Sequence, residues 1–282
     1  MNSKEISAAG FTAVRRSPKR LIASIQGHIK CGKTRLALTG RKPMGYISIE
    51  IGGDEGVVDQ FIKAGQDTND QIQIVQIRMA DPVYPDAATF KDDKAYNDAV
   101  SAAVQAVAEE AMEKFYAAYY TSLANFETTI VDTGSDLWEL IRLANFGRLE
   151  KVPQLAYTQL NKAMDKILDD AYAYKGSVLF THHVKEKWQT FINDKGKEQG
   201  KPSGIFDMAG YSGIKKKVQA VIELWREDLT EPDPETGLLV GFHGIINDSR
   251  HNAASMGQRF KGEFTLADIG MCVIPSAAKD WV

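Results

Sequence analysis

Residues 27 to 34 read Gly27-His28-Ile29-Lys30-Cys31-Gly32-Lys33-Thr34, a G-x-x-x-x-G-K-T pattern. Each fixed position has a chemical task. Glycines at both ends let the backbone curl until successive amides face one point, where they donate to phosphate oxygens. The lysine reaches the β and γ phosphates, and the threonine hydroxyl is a hard oxygen ligand for Mg²⁺. The spacing therefore predicts a phosphate cradle over Gly27, His28, Ile29, Lys30, Cys31, Gly32, Lys33, Thr34 and the following Arg35, with ATP and Mg²⁺ as its ligands. The chain carries no N-K-x-D guanine motif, which favours ATP over GTP. Cys31 reads as a small filler beside the lysine.

A cradle acts only with partners at neighbouring strand ends. Thr129-Ile130-Val131-Asp132 is an apolar run closed by a carboxylate, so Asp132 is expected to hold Mg²⁺ with Thr34. Glu50 ends another strand candidate ahead of Gly52 and Gly53, and is the candidate group to orient a water, with Asp54 as the fallback. The run Val178 to Thr181 ends in His182-His183. Neighbours on a strand face opposite ways, so one histidine, His182, is assigned to sense the γ-phosphate and His183 to packing.

These residues need a sheet to bring them together. Leu21 to Ile25 is short, apolar and stopped by Gly27, which predicts a buried strand leading into the cradle, and Arg35 to Leu38 opens a helix after it. Further strands are expected at 45–50, 71–77, 128–132 and 176–182. The strict alternation of 71–77 points to a half-exposed or edge strand. Residues 99–124 are alanine-rich with apolar residues at helical spacing, a long amphipathic helix after a surface connection at 81–98. Helices are expected at 135–146 and 154–174. Segments 218–225 and 238–246 flank the turn-rich Glu231-Pro232-Asp233-Pro234-Glu235-Thr236-Gly237 and predict an antiparallel hairpin. The fold class is therefore α/β: a mostly parallel central sheet flanked by helices, with a C-terminal antiparallel hairpin. One domain spans 1–282, with a helical insertion at about 81–127 and a flexible loop or small hairpin at about 184–213.

Composition narrows the function classes. The 282 residues carry 34 Lys+Arg against 37 Asp+Glu, a net charge of -3, which excludes a globally basic nucleic-acid binder but not a local basic groove. Two cysteines fit a reducing cytoplasm, and no run reaches the ~20 apolar residues of a membrane span. Between residues 185 and 201 lie Lys185, Lys187, Lys195, Lys197 and Lys201 against Glu186, Asp194 and Glu198, with Trp188 and Phe191 interleaved. Lysines on phosphates with an aromatic ring stacked on a base is the chemistry of a single-strand binder. The alternative is a solvated loop with two aromatics tucked inward.

The run Leu21 to Leu38, the segment Ile49-Glu50-Ile51-Gly52-Gly53, the strand Thr129 to Asp132 and Leu179-Phe180-Thr181-His182-His183 occur in an order and spacing that resembles the phage-encoded RecA-like ATPases. These include the phage single-strand annealing ATPases. The resemblance implies a RecA-like P-loop core, Mg-ATP binding and hydrolysis, and a role in recombination, annealing or replication of phage DNA in the infected cell's cytoplasm. Single-stranded DNA, a single-strand-binding protein and further copies of the chain are the partners it implies. It makes Glu50 the catalytic glutamate, 184–213 the DNA-contacting loop, and Arg250 in Asn247-Asp248-Ser249-Arg250 a finger toward a neighbouring subunit. Two other readings remain at this stage. One is a small-molecule kinase, for which Arg142 and Arg148 are the only lid arginines between the Asp132 and His182 strands. The other is a nucleotide-binding scaffold without turnover.

Overall fold

The computed structural model describes residues 20–49, 71–148, 157–192, 198–232, 237 and 239–280. Glu50, Asp54, Lys195 and Lys197 lie outside the described residues.

The apolar run after Arg20 forms β1 (Ile22–Gly27), every residue of which is buried. A strand covered on both faces needs no polar alternation. Leu21, Ala23 and Ile25 face the short helix α1 (Lys33–Ala37), while Ile22 faces the opposite core. Beside β1 stand β2 (Met44–Ser48), β3 (Ile72–Gln76), β4 (Thr128–Asp132) and β5 (Ser177–His182). The segment after β5 forms a separate two-stranded hairpin, β6 (Val184–Ile192) and β7 (Glu198–Met208), paired antiparallel. Of the two expectations for residues 184–213, the small hairpin is the one observed. β8 (Ala220–Asp228), β9 (Val240–Ser249) and β10 (Arg259–Lys261) complete the main sheet.

Among the described residues that sheet has eight strands in the order β10-β9-β8-β1-β5-β4-β2-β3. The six from β8 to β3 are parallel, and β9 and β10 run antiparallel to their neighbours. This is the expected class: a mostly parallel sheet with antiparallel C-terminal strands. β3 sits at the sheet edge with four of its five residues exposed, as its alternation predicts.

On one face lie α2 (Asp93–Asn125), α3 (Gly134–Phe146) and α4 (Tyr157–Ala171), whose apolar stripes meet Ile47, Val131, Val178 and Phe180. α2 begins at Asp93, inside the segment expected to be a connection, because the Asp92 carboxylate accepts from Ala95 N at 2.8 Å and caps it there. The opposite face is covered by α1 and α5 (Leu266–Val273). β10 and α5 were not anticipated. The available signal was Thr265-x-x-Asp268 ahead of an apolar run, which forms a capping box in the structure. Among the described residues no helix is long and apolar enough to cross a membrane.

Candidate functional site

β1 delivers the chain into a curled loop. A Cβ on Gly27 would lie 2.4 Å from the Leu224 carbonyl oxygen, so only glycine lets the loop start this close to β8. Gly32 has φ +93, and this left-handed residue turns the amides inward before α1 starts. Lys33 is 7% exposed, and its ammonium donates to the carbonyls of Gly27 at 3.0 Å and His28 at 2.9 Å. The lysine charge therefore sits inside the curl, where a phosphate needs it.

Parallel pairing aligns the ends of β4, β5 and β2 around the same point. Asp132 is 2% exposed and accepts three hydroxyl hydrogen bonds. Thr34 Oγ1 donates to Oδ2 at 2.8 Å, Tyr46 OH donates to Oδ2 at 2.5 Å, and Thr181 Oγ1 donates to Oδ1. A buried carboxylate is costly unless it is saturated in this way. Side by side, the Thr34 hydroxyl and the Asp132 carboxylate are the hard oxygen donors that Mg²⁺ takes, so the residues fit that ion. Tyr46 and Thr181 were missed in the sequence. Only the strand register reveals them, since Ser48 pairs with Asp132 and Val131 with Phe180.

His182 is not brought to the cradle. Thr181 shares strand parity with Leu179 and faces the α1 side, whereas His182 shares it with Phe180 and faces the other core. Its ring is wholly buried against Gly134, where an added Cβ would lie 2.5 Å from Cε1, and the Ala209 backbone is the polar group that acts on it. Burial pushes its pKa down to about 3, so the imidazole is neutral. The side chain from this strand end that touches the Asp132 centre is Thr181. The backbone of His183 ties the hairpin root to α3: its N–H donates to Ser135 Oγ at 3.1 Å, and its carbonyl accepts from Ala209 at 2.8 Å. Arg250, expected to reach toward a neighbouring subunit, lies away from this chain's own cradle. β9 runs antiparallel, so its C-terminal end lies at the sheet end remote from the cradle, where the Arg250 guanidinium donates to the Lys216 carbonyl at 2.6 Å.

The hairpin projects from the cradle end of the sheet. Trp188 is 70% exposed, and Phe191, Ile192, Ile205 and Phe206 are exposed with it. The aromatics expected to be either base-stacking or tucked inward are outward. Phe206 meets His28 of the cradle edge-on, with ring centroids 4.5 Å apart. Lys201 Nζ lies 5.2 Å from the Phe191 ring centre, and Lys185 is exposed. Lys187 is held by Asp207 at 2.8 Å, and Lys215 reaches the same carboxylate at 2.5 Å. Burial pushes the Asp207 carboxyl up, but the hydrogen bonds from the two lysines outweigh it and hold it below the usual carboxylate range.

A glycine loop that folds its lysine inward, directly before a helix whose threonine meets a buried strand-end aspartate, defines a P-loop nucleotide-binding protein. The family comparison agrees: the model of a family described as an AAA domain matches residues 19–230, and the chain belongs to that family. Among solved structures the chain is similar to a KaiC-like protein from the hyperthermophilic archaeon Pyrococcus horikoshii. That match has 11% identity and a TM-score of 0.45, and covers 87% of this chain and 86% of that one. No curated protein matches.

Proposed function

We propose that the chain is a phage-encoded, RecA-like ATPase that hydrolyses Mg-ATP and acts on single-stranded DNA in recombination, annealing or replication. The observation that carries this reading is the exposed aromatic hairpin seated on the phosphate cradle through Phe206 and His28. A surface suited to stacking bases thereby adjoins the site suited to binding phosphates.

In this reading the loop amides from His28 to Thr34 and the Lys33 ammonium bind the phosphates, and Thr34 with Asp132 holds Mg²⁺. When bound, that ion neutralises charge on the phosphate oxygens. Tyr46 and Thr181 fix the Asp132 carboxylate in one orientation, and Glu50 orients the attacking water. On the hairpin, Trp188 and Phe191 stack bases while Lys185, Lys195, Lys197 and Lys201 meet phosphates. Lys187 belongs to the same set: it shares Asp207 with Lys215, and the three groups together keep one positive charge. A single-strand-binding protein and further copies of the chain are the proposed partners, and the host cytoplasm is the proposed location. The kinase reading loses ground because Arg142, one of its two lid candidates, is bonded to Glu139 on its own helix, with Nε to Oε2 at 2.8 Å.

The test is ATP turnover measured with and without single-stranded DNA, alongside a sizing measurement and DNA binding across a salt series. Turnover abolished in Lys33→Ala, together with a salt slope reduced by roughly one per lost phosphate contact when Lys195, Lys197 and Lys201 are neutralised, is the expected result. Unchanged DNA affinity in the triple variant would sink the hairpin assignment. Phosphate transferred to an acceptor other than water would sink the ATPase assignment.

A further inference from the structure

We infer that the nucleobase of the bound nucleotide lies in a slot between α1 and the C-terminal segment 242–265, with the Phe242 ring as its stacking wall. The inference rests on reading Gly27 to Thr34 as a nucleotide cradle, and it assigns the half of the nucleotide that the cradle motif does not describe.

The first argument is position. A cavity of about 130 Å³ is lined by Cys31, Gly32, Arg35 and Leu36 on the cradle side and by Phe242 and Phe264 on the other. It opens beside the loop amides that take the phosphates. The outer side of the loop faces solvent, with Ile29 73% exposed, and the rest of the cradle is enclosed by its neighbours. β5 and β8 flank β1 in the sheet, Asp132 meets Thr34, and Phe206 closes on His28. A nucleotide whose phosphates sit in the curl reaches this walled recess when its sugar and base run past Arg35, along α1.

The second argument is chemistry. Phe242 Cδ1 lies 3.4 Å from the point where a Cβ on Gly32 would stand, so its ring abuts the loop backbone directly. Leu36 and Phe264 continue the apolar wall. Phe264 is held in place by stacking on Phe260 at 5.2 Å and by packing on Gly244. At the rim Arg35 and Glu263 form an ion pair, which supplies donors and an acceptor without net charge. An apolar slot with a neutral but polar rim suits a flat heteroaromatic ring with polar edges, and a purine base is that ligand. It does not suit a second phosphate, for which the paired arginine offers no unbalanced positive charge. Phe242, Glu263 and Phe264 all lie beyond residues 19–230, the stretch that the AAA-domain model matches.

The experiment compares two ligands on the full chain: ATP, which has a base, and inorganic tripolyphosphate, which does not. Calorimetric titration of Phe242→Ala should weaken ATP about three- to tenfold and leave tripolyphosphate unchanged. Phe242→Trp should keep the ATP affinity and add an indole signal that responds to ATP but not to tripolyphosphate. It also serves as the readout should the alanine variant fold poorly. ATP affinity unchanged in Phe242→Ala, or ATP and tripolyphosphate weakened equally, overturns the slot. If wild-type protein binds neither ligand, or if Lys33→Ala weakens neither, the cradle reading fails first and takes the slot with it. The two failures are thereby distinct.

Discussion

The cradle and the β6–β7 hairpin stand at the same end of the sheet and touch through His28 and Phe206, yet they are built on opposite terms. In the cradle the polar groups are buried and satisfied within the protein: Lys33 on two carbonyls, Asp132 on three hydroxyls. On the hairpin the large apolar groups are exposed: Trp188, Ile192 and Ile205 face outward. A buried polar cluster is tolerable only when every member has a partner, so its geometry is fixed before any ligand arrives. An exposed apolar ridge is the reverse, a surface whose best partner lies outside the chain. Substitutions should therefore separate by region. On the proposed function, cradle changes should strike turnover and stability together, whereas hairpin changes should strike DNA binding and spare basal turnover.

The largest effect expected is on the cradle lysine. Lys33→Ala removes a preorganised cation aimed at the phosphates, and ATP turnover should fall by at least about 10²-fold. Asp132→Asn is the sharper test, because it keeps the shape and turns an acceptor into a donor. An amide nitrogen would then face at least one hydroxyl donor among Thr34, Tyr46 and Thr181. The expected cost is about 1–3 kcal/mol of folding stability on top of lost turnover, read from a urea midpoint. Wild-type stability in this variant would mean that the three hydroxyls do not depend on the carboxylate as their acceptor.

How far this contrast was legible in the sequence follows from the same physics. Gly27, Gly32, Lys33, Thr34 and Asp132 are readable because one local segment performs each task, and residue type at fixed spacing is enough. The sheet class was readable from short apolar runs separated by a helical pattern. Tyr46 and Thr181 were not readable, because their role depends on which strand lies beside which, and that is set by long-range pairing. His182 was misplaced for a related reason: the strand was right, but a one-residue alternation decides which core a side chain enters. The C-terminal helix α5 had a readable cap at Thr265 and Asp268, but a single turn pattern does not say which face it will cover.

On the hairpin the expected effects are smaller and confined to binding. Trp188→Ala should weaken single-stranded DNA by about 1–3 kcal/mol, the worth of one stacked base. Because Trp188 is 70% exposed, the thermal midpoint should stay where it is. Phe206→Ala breaks the comparison from the other side, since Phe206 belongs to the hairpin but rests on His28. It should weaken DNA binding and alter the stimulation of turnover by DNA, while basal turnover in the absence of DNA is preserved. Equal loss of basal turnover would place Phe206 in the cradle rather than on the hairpin.

His182 is the exception to the contrast and gives its finest test, because it is buried like the cradle groups but burial outweighs the pull of the Ala209 backbone on its ring. Burial sets its folded pKa at about 3, below the ordinary 6.5. The neutral ring is the form that folding favours, so its contribution is complete above pH 6.5. It is lost as the pH falls toward 3, at up to about 1.4 kcal/mol per pH unit. From pH 6.5 to pH 5 the wild type should therefore lose about 2 kcal/mol through this residue alone. His182→Leu removes the titration and keeps the site apolar, so the variant should match the wild type near neutrality and exceed it at pH 5. Urea midpoints that fall in parallel for the two proteins would show that His182 keeps an ordinary pKa in the folded state.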